Sequence, residues 1–221
     1  MLKQEMREPA LYNAVILAIA NGASKLSEIA TKVGETTATC SVYLRNLILL
    51  GLIKKETPYG ETATRKTIYA LEDNMFRFWY RFVLNNKSLI ARGAADLVFG
   101  RIEPYFSEYM GLIFEQICQQ YLWYLLLQGR LDIEFAELGR WWGNDPVAKK
   151  QAEIDIMGVQ EKSKALFAEC KWINDKVDQE VLEALIKRSH LFSYSQTQLF
   201  VFSKSGFTQN YKIPSQKTHG L

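Results

Sequence analysis

The tightest constraint on this chain is a pair of short runs that alternate apolar with charged residues on either side of a polar connection. Glu153-Ile154-Asp155-Ile156-Met157-Gly158-Val159 and Ala165-Leu166-Phe167-Ala168-Glu169-Cys170-Lys171-Trp172 flank Gln160-Glu161-Lys162-Ser163-Lys164. Runs of this length and composition predict two strands joined as a β-hairpin. A hairpin symmetric about Lys162 sets Asp155 opposite Glu169 and Glu153 opposite Lys171. Strand side chains alternate, so these four are expected on one face, with Ile154, Ile156, Leu166, Ala168, Cys170 and Trp172 on the other. Met157, Val159, Ala165 and Phe167 share the charged face, so both faces need cover. That predicts an inner position in a sheet.

Directly opposed carboxylates, with β-carbons roughly 5 Å apart, repel each other unless a cation or a proton intervenes. Mg²⁺ (or Mn²⁺) suits such a pair, because it takes one or two carboxylates and fills its remaining positions with water and substrate phosphate. Asp155 and Glu169 are therefore candidate metal ligands. Lys171 is placed to orient or deprotonate an attacking water, or to stabilise charge developing on a phosphate. A metal-free surface hairpin, with Lys171 paired to Glu153 and offsetting Asp155, accounts for the same four residues, and the residues alone leave the two readings open. Upstream, the segment from Gly111 to Leu122 reads as a helix whose buried stripe holds Phe114, Ile117, Cys118, Tyr121, Leu122 and Leu125, with the acid Glu115 beside it. Downstream, Val177 to Phe192 reads as a helix and Gln198 to Ser203 as a buried strand. The order is helix, hairpin, helix, strand.

The first seventy residues follow a different pattern. Pro9 stands at a first helical position, and Leu11, Ala14, Val15, Ala18 and Ile19 recur at helical spacing until Asn21-Gly22. Ser27 is the expected cap of a short second helix, Glu28 to Lys32, and Val33-Gly34 turns the chain into a third from about Thr36 to Leu50. That third helix divides into an apolar stripe (Cys40, Leu44, Leu47, Ile48) and a polar face with Thr37, Thr39, Ser41, Arg45 and Asn46. Hydroxyl, amide and guanidinium groups of this kind reach base edges and phosphates. Leu52 to Glu56 and Lys66 to Leu71 read as two strands joined through Thr57-Pro58-Tyr59-Gly60 and a polar loop to Arg65. Three helices and a hairpin predict a winged helix-turn-helix over 1–72. The passage SEIATKVG to VYLRNLILLGLIKK resembles the recognition-helix-into-wing region of bacterial and archaeal winged-helix modules, which implies the third helix on DNA and Arg65 and Lys66 on phosphate; winged helices also serve as protein-interaction modules, and that reading stays open.

Charge is distributed accordingly. Of a net +3, residues 1–70 hold nine Lys/Arg against six Asp/Glu, whereas residues 71–221 hold eighteen of each. Three scattered cysteines and two distant histidines give no zinc spacing. The chain begins without a leader-like pattern, and its richest apolar stretch, Tyr121 to Leu127, is too short to span a bilayer, so a cytoplasmic protein without a membrane partner is expected. The aromatic and arginine run Phe76 to Phe82, in a helical connector expected over 73–105, reads as interdomain packing in preference to a surface that stacks single-stranded bases, and Trp141-Trp142-Gly143 as a sheet edge before a loop from Asn144 to Gln151.

Glu115 on a helix, Asp155 on one strand and Glu169-Cys170-Lys171 on the next resemble the core of the PD-(D/E)XK nuclease superfamily, with Ile154 in place of the proline. The resemblance implies metal ligation by Asp155 and Glu169, a catalytic role for Lys171, an auxiliary acid at Glu115, and a restriction-endonuclease-like α/β domain with a mixed central sheet over 106–221. EPALYNAVILAIANG, LEDNMFRFWYRFV, GRWWG, AEIDIMGV and FAECKW together resemble the C-terminal region of the archaeal-type ATPases, in which a winged helix and a nuclease-like domain follow a nucleotide-binding domain. No GxxxxGK[ST] loop occurs in this sequence, so ATP hydrolysis is not expected of it. The functions implied are Mg²⁺-dependent hydrolysis of DNA, a catalytically inactive DNA- or partner-binding module of a P-loop ATPase, or a winged-helix transcription regulator. DNA is the expected partner; a separate P-loop ATPase domain or subunit and a homodimer are left open.

Overall fold

The computed structural model describes residues 8–62, 65–161 and 163–212, so Lys162, on which the hairpin symmetry was centred, lies outside the described residues. It contains α-helices, a two-stranded sheet and a four-stranded mixed sheet, and the chain divides into two compact units. The first takes in residues 61–103 and those up to Thr57. The second takes in Pro58–Gly60 and the residues from Pro104 onward.

In the first unit, helices α1 (Pro9–Ala20), α2 (Leu26–Val33) and α3 (Thr37–Leu49) precede an antiparallel pair, β1 (Ile53–Glu56) and β2 (Ile68–Leu71), in the register Ile53↔Leu71 to Glu56↔Ile68. Their apolar stripes meet in one core containing Val15, Ile16, Ile29, Leu44, Leu47, Ile53 and Leu71. α2 starts earlier than its sequence suggests: Lys25, not Ser27, is the cap residue, and Glu28 reaches back to accept from the Ser24 and Lys25 amides. A carboxylate in the first turn satisfies the orphan donors better than a single hydroxyl. Those two amides hold the Glu28 carboxyl below its ordinary pKa. α3 is capped by Thr36, whose hydroxyl accepts from the Thr39 amide.

The segment expected as a connector is helical and belongs, up to Glu103, to the first unit. α4 (Asn74–Phe78) runs into a π-helical turn, Trp79–Val83, then a 3₁₀ turn, Leu84–Asn86, and α5 (Lys87–Ala91). Phe76, Tyr80 and Leu84 pack onto the first core, and Arg77 is buried with a donor on the Leu71 carbonyl.

Helix α6 (Ala95–Leu127) continues through Pro104, and the second unit is built on its part from Pro104 onward. The helix is followed by β3 (Gly139–Asp145), β4 (Lys150–Gln160), β5 (Lys164–Lys171), α7 (Gln179–Ser189) and β6 (Gln196–Ser203). The sheet order is β3-β4-β5-β6, antiparallel at the first two junctions and parallel between β5 and β6. The hairpin strands β4 and β5 are thus inner strands, and β3 with its tryptophans is an edge. Cys118, Leu122 and Leu125 of α6 cover one face with Ile156, Leu166, Ala168, Phe200 and Phe202. Leu182 and Leu185 of α7 cover the other with Met157, Ala165, Phe167, Leu199 and Val201. Tyr59, from the short segment that belongs to this unit, donates its amide to the Arg140 carbonyl, and its hydroxyl accepts from the Val159 amide. It therefore covers part of the β3 edge.

Candidate functional site

The geometry of the site follows from one extra residue in β4. The β3–β4 register runs Trp141↔Ile154 but Gly139↔Met157, so between these pairs one residue of β3, Arg140, opposes two of β4. A bulge at Asp155-Ile156 interrupts alternation there. Ile154 consequently packs with Met157 and Phe167 on the α7 side, whereas Ile156 packs with Leu166 on the α6 side. This corrects the expectation that Glu153, Asp155, Glu169 and Lys171 share one face. Glu153 pairs with Arg140 of β3, and the Arg140 Nε lies 3.4 Å from Glu115 of α6. Lys171 pairs with Glu169, not with Glu153.

The β4–β5 ladder carries the register inferred from the loop, Gln160↔Lys164 through Ile156↔Ala168. Beyond it the strands separate, and Asp155 occupies the opening: its Oδ2 accepts from the Cys170 amide at 2.7 Å, replacing a ladder bond. Glu169, held in place because β5 continues to pair with β6 (Glu169↔Val201), is 3% exposed. Lys171 Nζ donates to its Oε1 at 2.6 Å and Arg188 Nη2 to its Oε2 at 2.7 Å.

Both cations therefore grip one carboxylate, and the other is left with a backbone amide. Burial and then the negative charge of Glu169 push the Asp155 carboxyl up to about 6, against the opposing pull of the Cys170 amide and the Lys171 ammonium. Cys170, between Glu169 and Lys171, packs on the α6 side beside Cys118, both as free thiols; hydrogen bonding with Cys118 and burial hold the Cys170 thiol well above its ordinary range. Among the described residues no group of three or more His, Cys, Asp or Glu side chains is arranged to hold a metal ion.

On α3 the candidate DNA-contacting residues are not gathered. Thr39 bonds Thr36, the Ser41 hydroxyl turns back to the Thr37 carbonyl, and the Asn46 amide donates to the Tyr12 hydroxyl at 2.6 Å inside the unit. Thr37, Arg45, Arg65 and Lys66 are exposed, and Lys66 pairs with Glu61 at 2.8 Å. Val42, Leu49 and Leu50 are exposed beside them.

Two site residues escaped the sequence reading, Arg140 and Arg188. Arg188 left a trace: it falls three residues after Leu185, on the apolar stripe of α7, where a cation needs a buried partner. Arg140 left none, since its role depends on which face the bulge gives to Glu153.

Residues 79–184 match a known family. It is DUF234, described as archaea bacterial proteins of unknown function, and the matched span contains Glu115, Arg140, Asp155, Glu169 and Lys171 and ends before Arg188. An uncharacterized protein of Methanocaldococcus jannaschii is 31% identical over 195 residues, 86% of this chain and 43% of that protein. The chain thus spans less than half the length of that relative. Among solved structures, a MarR family regulator from Neisseria meningitidis is similar with a TM-score of 0.30 at 18% identity, over 50% of this chain and 80% of that one. Human N-acetylserotonin methyltransferase is similar with a TM-score of 0.23 at 14% identity, over 89% and 61%. At those scores neither likeness defines a fold. No described helix is long and apolar enough to cross a membrane.

Proposed function

We propose that the chain is a DNA-binding protein whose sheet unit hydrolyses phosphodiester bonds with the help of Mg²⁺ or Mn²⁺. The observation that carries this reading is the meeting of Asp155 with Glu169 and Lys171 where β4 and β5 separate, between two covered faces of a mixed sheet. The element order α6-β3-β4-β5-α7-β6, with Asp155 on the second strand and Glu169-Cys170-Lys171 on the third, supports a restriction-endonuclease-like core. The three-helix and hairpin arrangement supports a winged helix in the first unit.

The donor set fits a hard cation. Asp155 and Glu169 offer oxygens only, as Mg²⁺ prefers, and two carboxylates leave room for water and phosphate. Desolvation and Glu169 make the ionised Asp155 costly, so a cation between them relieves a repulsion already present. When bound there, such an ion lowers the pKa of a water and neutralises phosphate charge. Asp155, fixed by the Cys170 amide, holds its carboxylate at the opening. Lys171, about one-third exposed and donating to Glu169, is anchored as a charged donor, which suits stabilising a phosphoryl oxygen better than taking a proton. Glu115 is engaged by Arg140, which also pairs with Glu153.

A second reading has its own support. With Lys171 and Arg188 each on one oxygen of Glu169, the buried charge is already compensated, as in an inactive partner- or DNA-binding module; a larger relative, with more than half its length outside the match, leaves room for a P-loop ATPase domain beside it. Thermal melting separates the two. Mg²⁺ or Mn²⁺ at a hundredfold excess over its dissociation constant adds about 2.7 kcal/mol of stability to the active form, and Asp155→Asn and Glu169→Gln abolish the shift. No shift in the native sequence favours the inactive module.

A further inference from the structure

We propose that Arg188 is the resident counter-ion of Glu169, a guanidinium that a divalent cation has to displace before it can use that carboxylate. The inference rests on the metal-site reading above and adds to it a residue that sets metal affinity. Arg188 is delivered by a rigid element. Asp178 caps α7 through the Glu180 amide, Leu182 and Leu185 bury its stripe against the sheet, and Arg188 lies one turn further along that stripe. Its Nη2 reaches Glu169 Oε2, while its Nε is buried and has no hydrogen-bond partner.

A guanidinium carries five donors, and a buried N–H without a partner costs free energy. Arg188 is therefore held mainly by its charge pairing with Glu169, and its side chain is 22% exposed, so a path to water exists. Lys171 already supplies one charge to the same carboxylate. A divalent ion that ligates Glu169 faces two positive neighbours, of which Lys171 is needed for chemistry and Arg188 is not. Removing the Arg188 charge leaves a more negative pocket and strengthens cation binding. Once displaced, the guanidinium fork matches phosphate oxygens, which would couple metal loading to DNA.

The test is Mn²⁺ titration of the whole chain, followed by loss of the free-ion electron paramagnetic resonance signal, for the native sequence, Arg188→Gln and Arg188→Lys. Glutamine keeps a donor without the charge, so its Mn²⁺ dissociation constant is expected to fall about tenfold, whereas Arg188→Lys stays within about twofold of native. Arg188→Ala adds a check that tolerates imperfect folding of one variant: guanidinium ion added to it should weaken Mn²⁺ binding progressively and leave native binding unchanged. Equal or weaker binding in Arg188→Gln, with native binding intact, overturns the counter-ion role and leaves the metal site standing. Absence of Mn²⁺ binding in every variant overturns the metal site itself, and this inference with it.

Discussion

The open end of the β4–β5 hairpin and the outer face of α3 each hold several polar residues, but they use them in opposite ways. At the hairpin, Asp155, Glu169, Lys171 and Arg188 converge from β4, β5 and α7, and every contact is charge-assisted and at least partly buried. On α3 the polar groups of Thr39, Ser41 and Asn46 are engaged by neighbours in their own unit, and exposed Arg45 stands among exposed Val42 and Leu49. Convergence of buried charge has to be compensated and is therefore informative about chemistry. A polar helix face has no such requirement, which is why its residue types say less about what it touches.

The largest effect should come from Lys171. Lys171→Ala is expected to reduce single-turnover, metal-dependent DNA cleavage by about 10²–10⁴-fold while keeping the Mn²⁺-induced rise in melting temperature; loss of the melting shift would instead make Lys171 part of the binding site. Next is Glu169→Ala, which strands Lys171 and Arg188 beside a buried gap. Denaturant titration at neutral pH should show about 3–5 kcal/mol lost, against a change within about 0.5 kcal/mol for Arg45→Ala on the exposed helix face.

Asp155 makes the third contrast, and its sign is opposite to that of an ordinary paired carboxylate. Its folded pKa, about 6, lies above the ordinary value of 3.8, so between these values the native state holds more protons than the unfolded chain. Stability from this group is present below pH 4 and is lost as the pH rises through 6. The shift corresponds to on the order of 3 kcal/mol. In chelator-containing buffer Asp155→Asn should therefore be more stable than the native sequence at pH 7.5 and lose that advantage near pH 4. A native-like pH profile in the variant would place the repulsion elsewhere.

The smallest effects belong to the first unit. Arg45→Glu and Arg65→Glu should weaken DNA binding and each lower the salt slope by about 1, whereas Lys66→Glu, already balanced by Glu61, should do less. Asn46→Ala is expected to cost about 1 kcal/mol of stability through the lost bond to Tyr12, with DNA affinity unchanged once folded protein is compared. Unchanged affinity in all the arginine variants would assign the exposed α3 face to a protein partner.

The hairpin register was legible because period-two alternation and a short loop fix it together: Met157↔Phe167 and Val159↔Ala165 fall where the loop puts them. The helical stripes of α1, α3 and α7 were legible for a like reason, an apolar period that suits a helix and not a strand. The bulge was not, because an extra residue in β4 is defined only against β3, and nothing within Glu153-Ile154-Asp155-Ile156 reveals which strand it will pair with. Its consequence is the separation of Glu153 from Glu169, and the Arg140 bridge to Glu115 follows from that. The cap of α2 was misread because Ser27 is a good capping residue in isolation, while Glu28 satisfies two amides at once.

The central claim is that Asp155, Glu169 and Lys171 act together on a phosphodiester, and cleavage itself tests it most directly. Purified chain is incubated with single- and double-stranded DNA in Mg²⁺, Mn²⁺ or chelator, beside Asp155→Asn prepared identically. Cleavage that requires the divalent ion and disappears in Asp155→Asn is the predicted result. Cleavage of equal rate in Asp155→Asn, or none by the native sequence with either ion, would contradict it.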